Sequence, residues 1–193
     1  PDGSPNLEQL ESAIQSLAPH LRSGAVIVNK STVPVGSGNW TRTILEDALE
    51  GLRELSFGVV SNPEFLREGS AIDDFLYPDR IVLGGPEADV QRVAELYQPV
   101  LDQSFDGGRR GIQPTMITTE LTSAEMIKYA ANAFLATKLS FINAIAAVCE
   151  GVGADVNDVV VGMGYDKRIG TEFLRPGPGW GGSGFDGSGT PVV

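Results

Sequence analysis

Apolar positions recur at two spacings along the chain, and they separate it into two regions. Residues 7–21 carry Leu7, Leu10, Ile14 and Leu17 at helical intervals, which predicts an amphipathic helix. Gly24 follows, then AVIVN at 25–29, a short unbroken apolar run of the kind buried in a parallel sheet. The same alternation continues: a turn-rich loop KSTVPVGSG at 30–38, a helix over 39–50, a strand FGVVS at 57–61 and a polar connection over 62–79. A third strand, RIVLG, lies at 80–84, a helix over 87–101, a glycine-rich loop from Asp102 to Pro114, and a fourth strand, TMITT, at 115–119. Strands alternating with helices predict a parallel α/β sheet with right-handed crossovers.

The period then changes. Thr122 and Glu125 have the spacing of a capping box, and an apolar-periodic run continues to Glu150 before Gly151. About 28 residues at 1.5 Å each make a helix of roughly 42 Å, long enough to link two domains or form a subunit interface. A shorter helix is expected over 155–163. The fold expected is α/β, a partial doubly wound (Rossmann-like) parallel sheet, then a long helix and the start of an all-helical dimerisation domain. The divisions expected are 1–119, 120–176 and a glycine-rich tail over 177–193.

Charge narrows the partners. With 14 basic and 25 acidic residues the net charge is −11, which argues against a nucleic-acid groove. It leaves room for a phosphate-bearing small molecule held by a helix N-terminus or a few side chains. No uninterrupted apolar run reaches the ~18 residues of a membrane span. The only cysteine, Cys149, and the only histidine, His20, leave no basis for a disulfide framework or a multi-histidine metal site, so no metal is expected. A cytoplasmic protein fits this usage. The start at Pro1 and the tail, in which seven of the thirteen residues from Gly177 to Gly189 are glycine, suggest a fragment.

Several side chains are candidates for chemistry. Lys128 and Asn132 stand at i and i+4 among small apolar neighbours, so they share a helix face. A lysine there can act as a general base or switchable donor, and Asn132 offers a donor and an acceptor. The plainer alternative is a solvated surface pair. Glu64 and Glu68 would face one way if SNPEFLREG formed a helical turn, and one could then take a proton from water or a hydroxyl. The segment Asn62-Pro63 also reads as an ordinary helix start. Thr32 follows a strand, at the edge where open parallel sheets bind ligands, or else caps its own turn. Arg168 suits phosphate or sugar hydroxyls, or is simply a surface arginine. The loop Phe173–Ser183 has glycines that let backbone N–H groups approach an anion, and a flexible tail is equally allowed. No G-x-G-x-x-G follows a strand and opens a helix, so the usual pyrophosphate turn is absent from this sequence.

Taken together, KSTVPVG at 30–36, SNPEFLREGSAIDDFLYPDRIVLGG at 61–85, AEMIKYAANAFLATKLSFINAIA at 124–146 and GYDKRIGTEFLRPGPGWGGS at 164–183 resemble the UDP-glucose 6-dehydrogenase family of nucleotide-sugar dehydrogenases. The stretch YPDRIVLGG is more like the UDP-glucose branch than the GDP-mannose branch. The resemblance implies oxidation of UDP-glucose to UDP-glucuronate by two NAD-dependent hydride transfers through a cysteine-bound intermediate. It implies that Thr32 lies near NAD and the catalytic water, and that Glu68 contacts NAD. It implies that Glu64 serves in proton transfer or thioester hydrolysis, and that Lys128 and Asn132 hold the reacting sugar oxygen and stabilise its developing charge. Arg168, Phe173, Leu174, Gly177 and Gly179 would hold the UDP-sugar, with Glu64 beside it. A homodimer through the helix 122–150 is also implied.

One departure is plain. The family pattern runs G-G-S-C-F-P-K-D, and residues 181–188 read GGSGFDGS, so Gly184 replaces the nucleophile. A glycine cannot perform covalent catalysis, so the chain as it stands is expected to be inactive or nearly so. Two other readings stay open: a different nucleotide sugar (GDP-mannose or a UDP-N-acetylhexosamine), or a non-catalytic dimerisation module.

Overall fold

The computed structural model describes residues 7–50, 55–108, 111 and 113–178. It divides into two compact units, residues 1–128 and 129–193. Gly179 and Gly184 lie outside the described residues, as does the glycine-rich tail.

The first unit is a sheet of four strands in the order β1–β2–β3–β4: β1 (Ala25–Asn29), β2 (Phe57–Ser61), β3 (Arg80–Gly84) and β4 (Thr115–Thr119). The helices α1 (Glu8–Leu17) and α2 (Ser37–Ala48) cover one face. The helix α4 (Glu87–Leu96) and the single turn α5 (Gln98–Leu101) cover the other. Side-chain alternation explains the layering. Val26 and Val28 join the core of Val60, Ile81, Leu83, Val90 and Val93 on the α4 face. Ile27, between them in sequence, packs with Ile14, Leu45 and Leu49 on the α1–α2 face. Packing on both faces is why β1, β2 and β3 read as unbroken apolar runs.

The sheet departs from the expected pattern at its middle. Strands β1 and β2 are parallel, as are β3 and β4, but β2 and β3 meet antiparallel through the single pair Ser61 and Gly84. An antiparallel neighbour needs no crossover helix, so the connection 62–79 carries only the short helix α3 (Ala71–Leu76). Residues 62–67 have no regular structure, so no helical turn carries Glu64 and Glu68, and Asn62-Pro63 does not start a helix. The helix expected over 87–101 breaks at Tyr97, ahead of Pro99.

Helix α6 (Leu121–Val152) spans 32 residues and runs from the first unit into the second. Its first turn corrects the capping-box expectation. The helix already begins at Leu121, Ala124 N–H donates to the Glu120 carbonyl, and the Glu125 carboxylate is engaged elsewhere. By length and composition α6 is also long and apolar enough to cross a membrane, although no uninterrupted apolar run marks it. Its apolar average is interrupted by Lys128, Asn132, Lys138 and Asn143, groups costly to place in hydrocarbon.

The second unit contains the rest of α6 and α7 (Val156–Gly164), whose N-cap Asp155 accepts from Asn157 N–H at 2.8 Å. Lys138 Nζ donates to the Ile169 carbonyl and Gly177 N–H donates to Asn143 Oδ1, both at 3.0 Å, so the chain after α7 is tied back to α6.

Candidate functional site

A cleft opens at the carboxyl ends of β1 and β2, the end of an open α/β sheet where ligands bind. It is lined by Asn29, Ser31, Thr32, Val33, Ser61, Pro63, Glu125 and Lys128. Asn29 and Ser61 are the last residues of their strands, Thr32 and Val33 come from the following loop, and Glu125 and Lys128 from the first turns of α6.

The sheet end is held by polar groups that find partners in the interior. Asn29 Nδ2 donates to Thr41 Oγ1 at 3.0 Å, and Asn62 Nδ2 donates to the Val82 carbonyl at 3.0 Å. Asn62 N–H also donates to the Asn29 carbonyl at 2.8 Å, extending the β1–β2 ladder by one step. The Tyr97 hydroxyl and Lys30 Nζ both donate to Asn62 Oδ1. Such networks, once satisfied, fix one arrangement of the chain.

Lys128 is 7% exposed, so the solvated-lysine alternative fails. Its ammonium donates to Glu64 Oε1 at 3.4 Å and stands 5.2 Å from the centre of the Phe65 ring. Glu64 Oε2 accepts from Leu66 N–H at 2.6 Å, so the carboxylate is oriented from its own loop. The sequence placed Glu64 and Lys128 in separate motifs, and the fold brings them together across 64 residues. Thr32 and Lys128 line the cleft, and Glu64 is paired with Lys128 without being among the lining residues.

The remaining candidates are not brought to this cleft. Glu68 is exposed on a turn and is not among the lining residues. Asn132 is half-buried one turn beyond Lys128 on α6, within the second unit. Arg168, also in the second unit, is exposed and forms a bidentate pair with Asp166, Nη2 to Oδ2 at 2.6 Å. That pairing holds the Asp166 carboxyl below its ordinary range and the guanidinium above its own. Leu174 is buried, Phe173 has a left-handed backbone (φ 62°), and Gly177 is exposed.

Sequence reasoning missed what Glu125 does. It is 4% exposed, and both carboxylate oxygens receive donors from elsewhere in the fold. Gly36 N–H reaches Oε2 at 2.6 Å, while Gly38 N–H and the Ser61 hydroxyl reach Oε1 at 2.7 and 3.1 Å. The available signal was an acidic residue in an otherwise apolar helical turn, together with two glycines at the start of α2.

Comparison with known proteins decides the family. Residues 1–101 match the NAD-binding domain of the UDP-glucose/GDP-mannose dehydrogenase family, and residues 122–188 match its central domain. The chain belongs to this family. It is 48% and 50% identical to two UDP-glucose 6-dehydrogenases of Bacillus subtilis, YwqF and TuaD. Each match takes in 95% of the chain, and 39% and 37% of those proteins. The fold is similar to that of a UDP-glucose dehydrogenase from Pyrobaculum islandicum, with TM-score 0.81 and 36% identity over 95% of this chain and 40% of that one. A GDP-mannose dehydrogenase from Pseudomonas aeruginosa aligns with TM-score 0.71 and 30% identity over 92% and 40%. The chain thus spans about two-fifths of the length of the relatives it matches, and NAD is the cofactor its first domain type takes.

Proposed function

We propose that the chain is the part of an NAD-dependent UDP-glucose 6-dehydrogenase that carries the proton-handling groups. The observation that carries this is the buried Lys128 ammonium beside Glu64, at the carboxyl end of a sheet whose loop presents Thr32. The names of the relatives support a nucleotide sugar as substrate, and the B. subtilis pair supports UDP-glucose over GDP-mannose.

Apart from Glu125 and Lys128 the lining is neutral. Val33 and Pro63 are apolar, Thr32 and Ser61 are neutral, and the two charged groups are already engaged. Thr32 would hold the nicotinamide end, and NAD, when bound, supplies the hydride acceptor. Oxidising an alcohol also requires loss of its hydroxyl proton. Glu64, beside Lys128, would take that proton. Lys128 would stabilise the oxygen as its negative charge grows, and the part of Asn132 at that oxygen rests on the family resemblance. The roles of Glu68, Arg168, Phe173, Leu174 and Gly177 in holding NAD or UDP-sugar rest on the family resemblance. Gly184 leaves no nucleophile for a covalent second oxidation, so the chain by itself is proposed to bind without turning over.

Titration of the isotope-labelled chain with NAD and UDP-glucose tests this. Shifts at Thr32, Ser61 and Lys128 are expected, and loss of the UDP-glucose shifts in Lys128→Ala. Ligand-induced shifts that avoid all three residues would refute the site. Steady NADH production from UDP-glucose would refute the inactivity.

A homodimer through α6 is the second part of the proposal. Phe134, Phe141 and Val148 are exposed at seven-residue intervals, which puts them on one stripe of the helix. A second copy of the chain can bury that stripe. Sedimentation should give a dimer, and Phe141→Asp should give a folded monomer. A dimer that binds neither NAD nor UDP-glucose would favour the non-catalytic module.

A further inference from the structure

We infer that Glu125 is a positioning residue: its carboxylate acts as an internal anion at the start of α2 and fixes the loop that presents Thr32 to the cleft. The inference rests on the dehydrogenase reading only in taking the Thr32 loop as part of the reacting site.

A carboxylate removed from water needs donors for its lone pairs. Glu125 finds three, and each belongs to a different stage of the cleft wall. Gly36 is the N-cap of α2, Gly38 lies in its first turn, and Ser61 ends β2. The first N–H groups of a helix have no partner within it. Here the N-cap is a glycine without a side chain, and no local side chain caps α2. Glu125, 87 to 89 residues away in sequence, supplies the cap and places its charge at the positive end of a twelve-residue helix.

The backbone is shaped around the carboxylate. Gly36 adopts φ +99°, which side chains rarely tolerate. A Cβ on Gly38 would lie 3.1 Å from Glu125 Oε1 and 3.2 Å from Ser61 Oγ, so a glycine there admits the close approach. Lys128 follows Glu125 by three residues on the same helix, hence on a neighbouring face. One side chain thereby ties the Thr32 loop, the end of β2 and the helix bearing Lys128 to each other. A further consequence is that α2 does not offer its N-terminus to a ligand phosphate, because the chain's own anion is already there.

The test is residue-resolved amide exchange on the labelled 193-residue chain, first without ligand and then with NAD. Glu125→Gln keeps the shape but turns an amide group toward one of the backbone donors. Exchange at Gly36 and Gly38 should rise about ten- to hundredfold, the loss of a charge-assisted hydrogen bond. Core amides such as Val59 and Val82 should stay within about twofold. Ser61→Ala should leave both glycines protected, since their own bonds persist. If the competent loop conformation falls to about a tenth, about tenfold more NAD is needed to shift the Thr32 amide.

Unchanged exchange at the two glycines, or an equal rise everywhere, would overturn the inference. So would faster exchange with unchanged NAD affinity, which would reduce Glu125 to a structural anchor. If Glu125→Gln does not fold, Glu125→Asp gives the same readings: the shorter side chain leaves one backbone bond unmade, and the two glycines exchange unequally. If NAD moves no amide of the wild-type chain, the dehydrogenase reading fails, and the ligand-free exchange still decides whether the clamp exists.

Discussion

Gly38→Ala sets two effects of opposite sign against each other. Gly38 is the second residue of α2, and its backbone is not left-handed, so alanine can adopt its conformation. Propensity alone predicts a gain of up to about 1 kcal/mol, as alanine restricts the unfolded chain and favours helix. Packing predicts the reverse. The added methyl would lie 2.9 Å from Leu121 Cδ2, 3.1 Å from Glu125 Oε1 and 3.2 Å from Ser61 Oγ. The leucine methyl is the end of a flexible side chain and can yield. The carboxylate cannot, because Gly36 N–H at 2.6 Å and Gly38 N–H at 2.7 Å hold it from the same side. Overpacking typically costs about 1–3 kcal/mol, so the expected net is a loss of about 1–2 kcal/mol. For a chain of this length that lowers Tm by about 2–4 °C for each kcal/mol. Gly162→Ala is the control: it lies in helix α7 with nothing within 4 Å of the added carbon, so only the propensity gain acts there. Urea unfolding of both variants measures the difference. If Gly38→Ala is stabilised as much as Gly162→Ala, the carboxylate does not approach α2 closely and the clamp is wrong.

Three further outcomes are expected. Leu45→Ala removes a fully buried side chain from the α1–α2 core and should cost about 2–5 kcal/mol with the urea m-value unchanged, read by the same unfolding series. Glu64→Gln leaves the Lys128 ammonium without its anion. Because Glu64 keeps 27% side-chain exposure, the cost should be about 1–2 kcal/mol, below the 3–5 of a fully buried pair, with the larger effect on UDP-glucose binding. Asp74 accepts from Arg67 and Ser70, and the Arg67 guanidinium above all lowers its carboxyl to about 2. A carboxyl lowered in the folded state stabilises it fully above the ordinary value of 3.8, and the contribution is lost as pH falls from there through about 2. Carbon-detected titration of Asp74 should show that midpoint, and Arg67→Ala should return it toward the ordinary value.

The strands were legible because burial on both faces writes itself as AVIVN, FGVVS and RIVLG, and α6 because its period holds for 32 residues. The direction of β3 was not, since an apolar run has the same composition whichever way it points. That direction is set by the return of residues 62–79 and by Asn62, whose amide reaches the Val82 carbonyl. Lys128 stood out as a cation among alanines, but its partner Glu64 could not be read from spacing. The expected one-faced pair of Glu64 and Glu68 assumed a helical turn that residues 62–67 do not form.

Glu125 shows why the local pattern misled. Thr122-x-x-Glu125 satisfies the rule for a helix start, and that rule considers only donors within four residues. The rule assumes an exposed carboxylate with a choice of water as its alternative partner. At 4% exposure that alternative is gone, and the energetic demand becomes three donors for two oxygens wherever the fold can bring them. The Gly36 and Gly38 N–H groups at the start of α2 have no local side-chain cap, so the helix end and the carboxylate each supply what the other lacks. The same reasoning applies to Lys128, which meets its anion from a loop 64 residues away. In an apolar helix, a charged residue one turn from another is therefore evidence of two long-range partners before it is evidence of a local motif, and both partners here converge on the carboxyl end of the sheet.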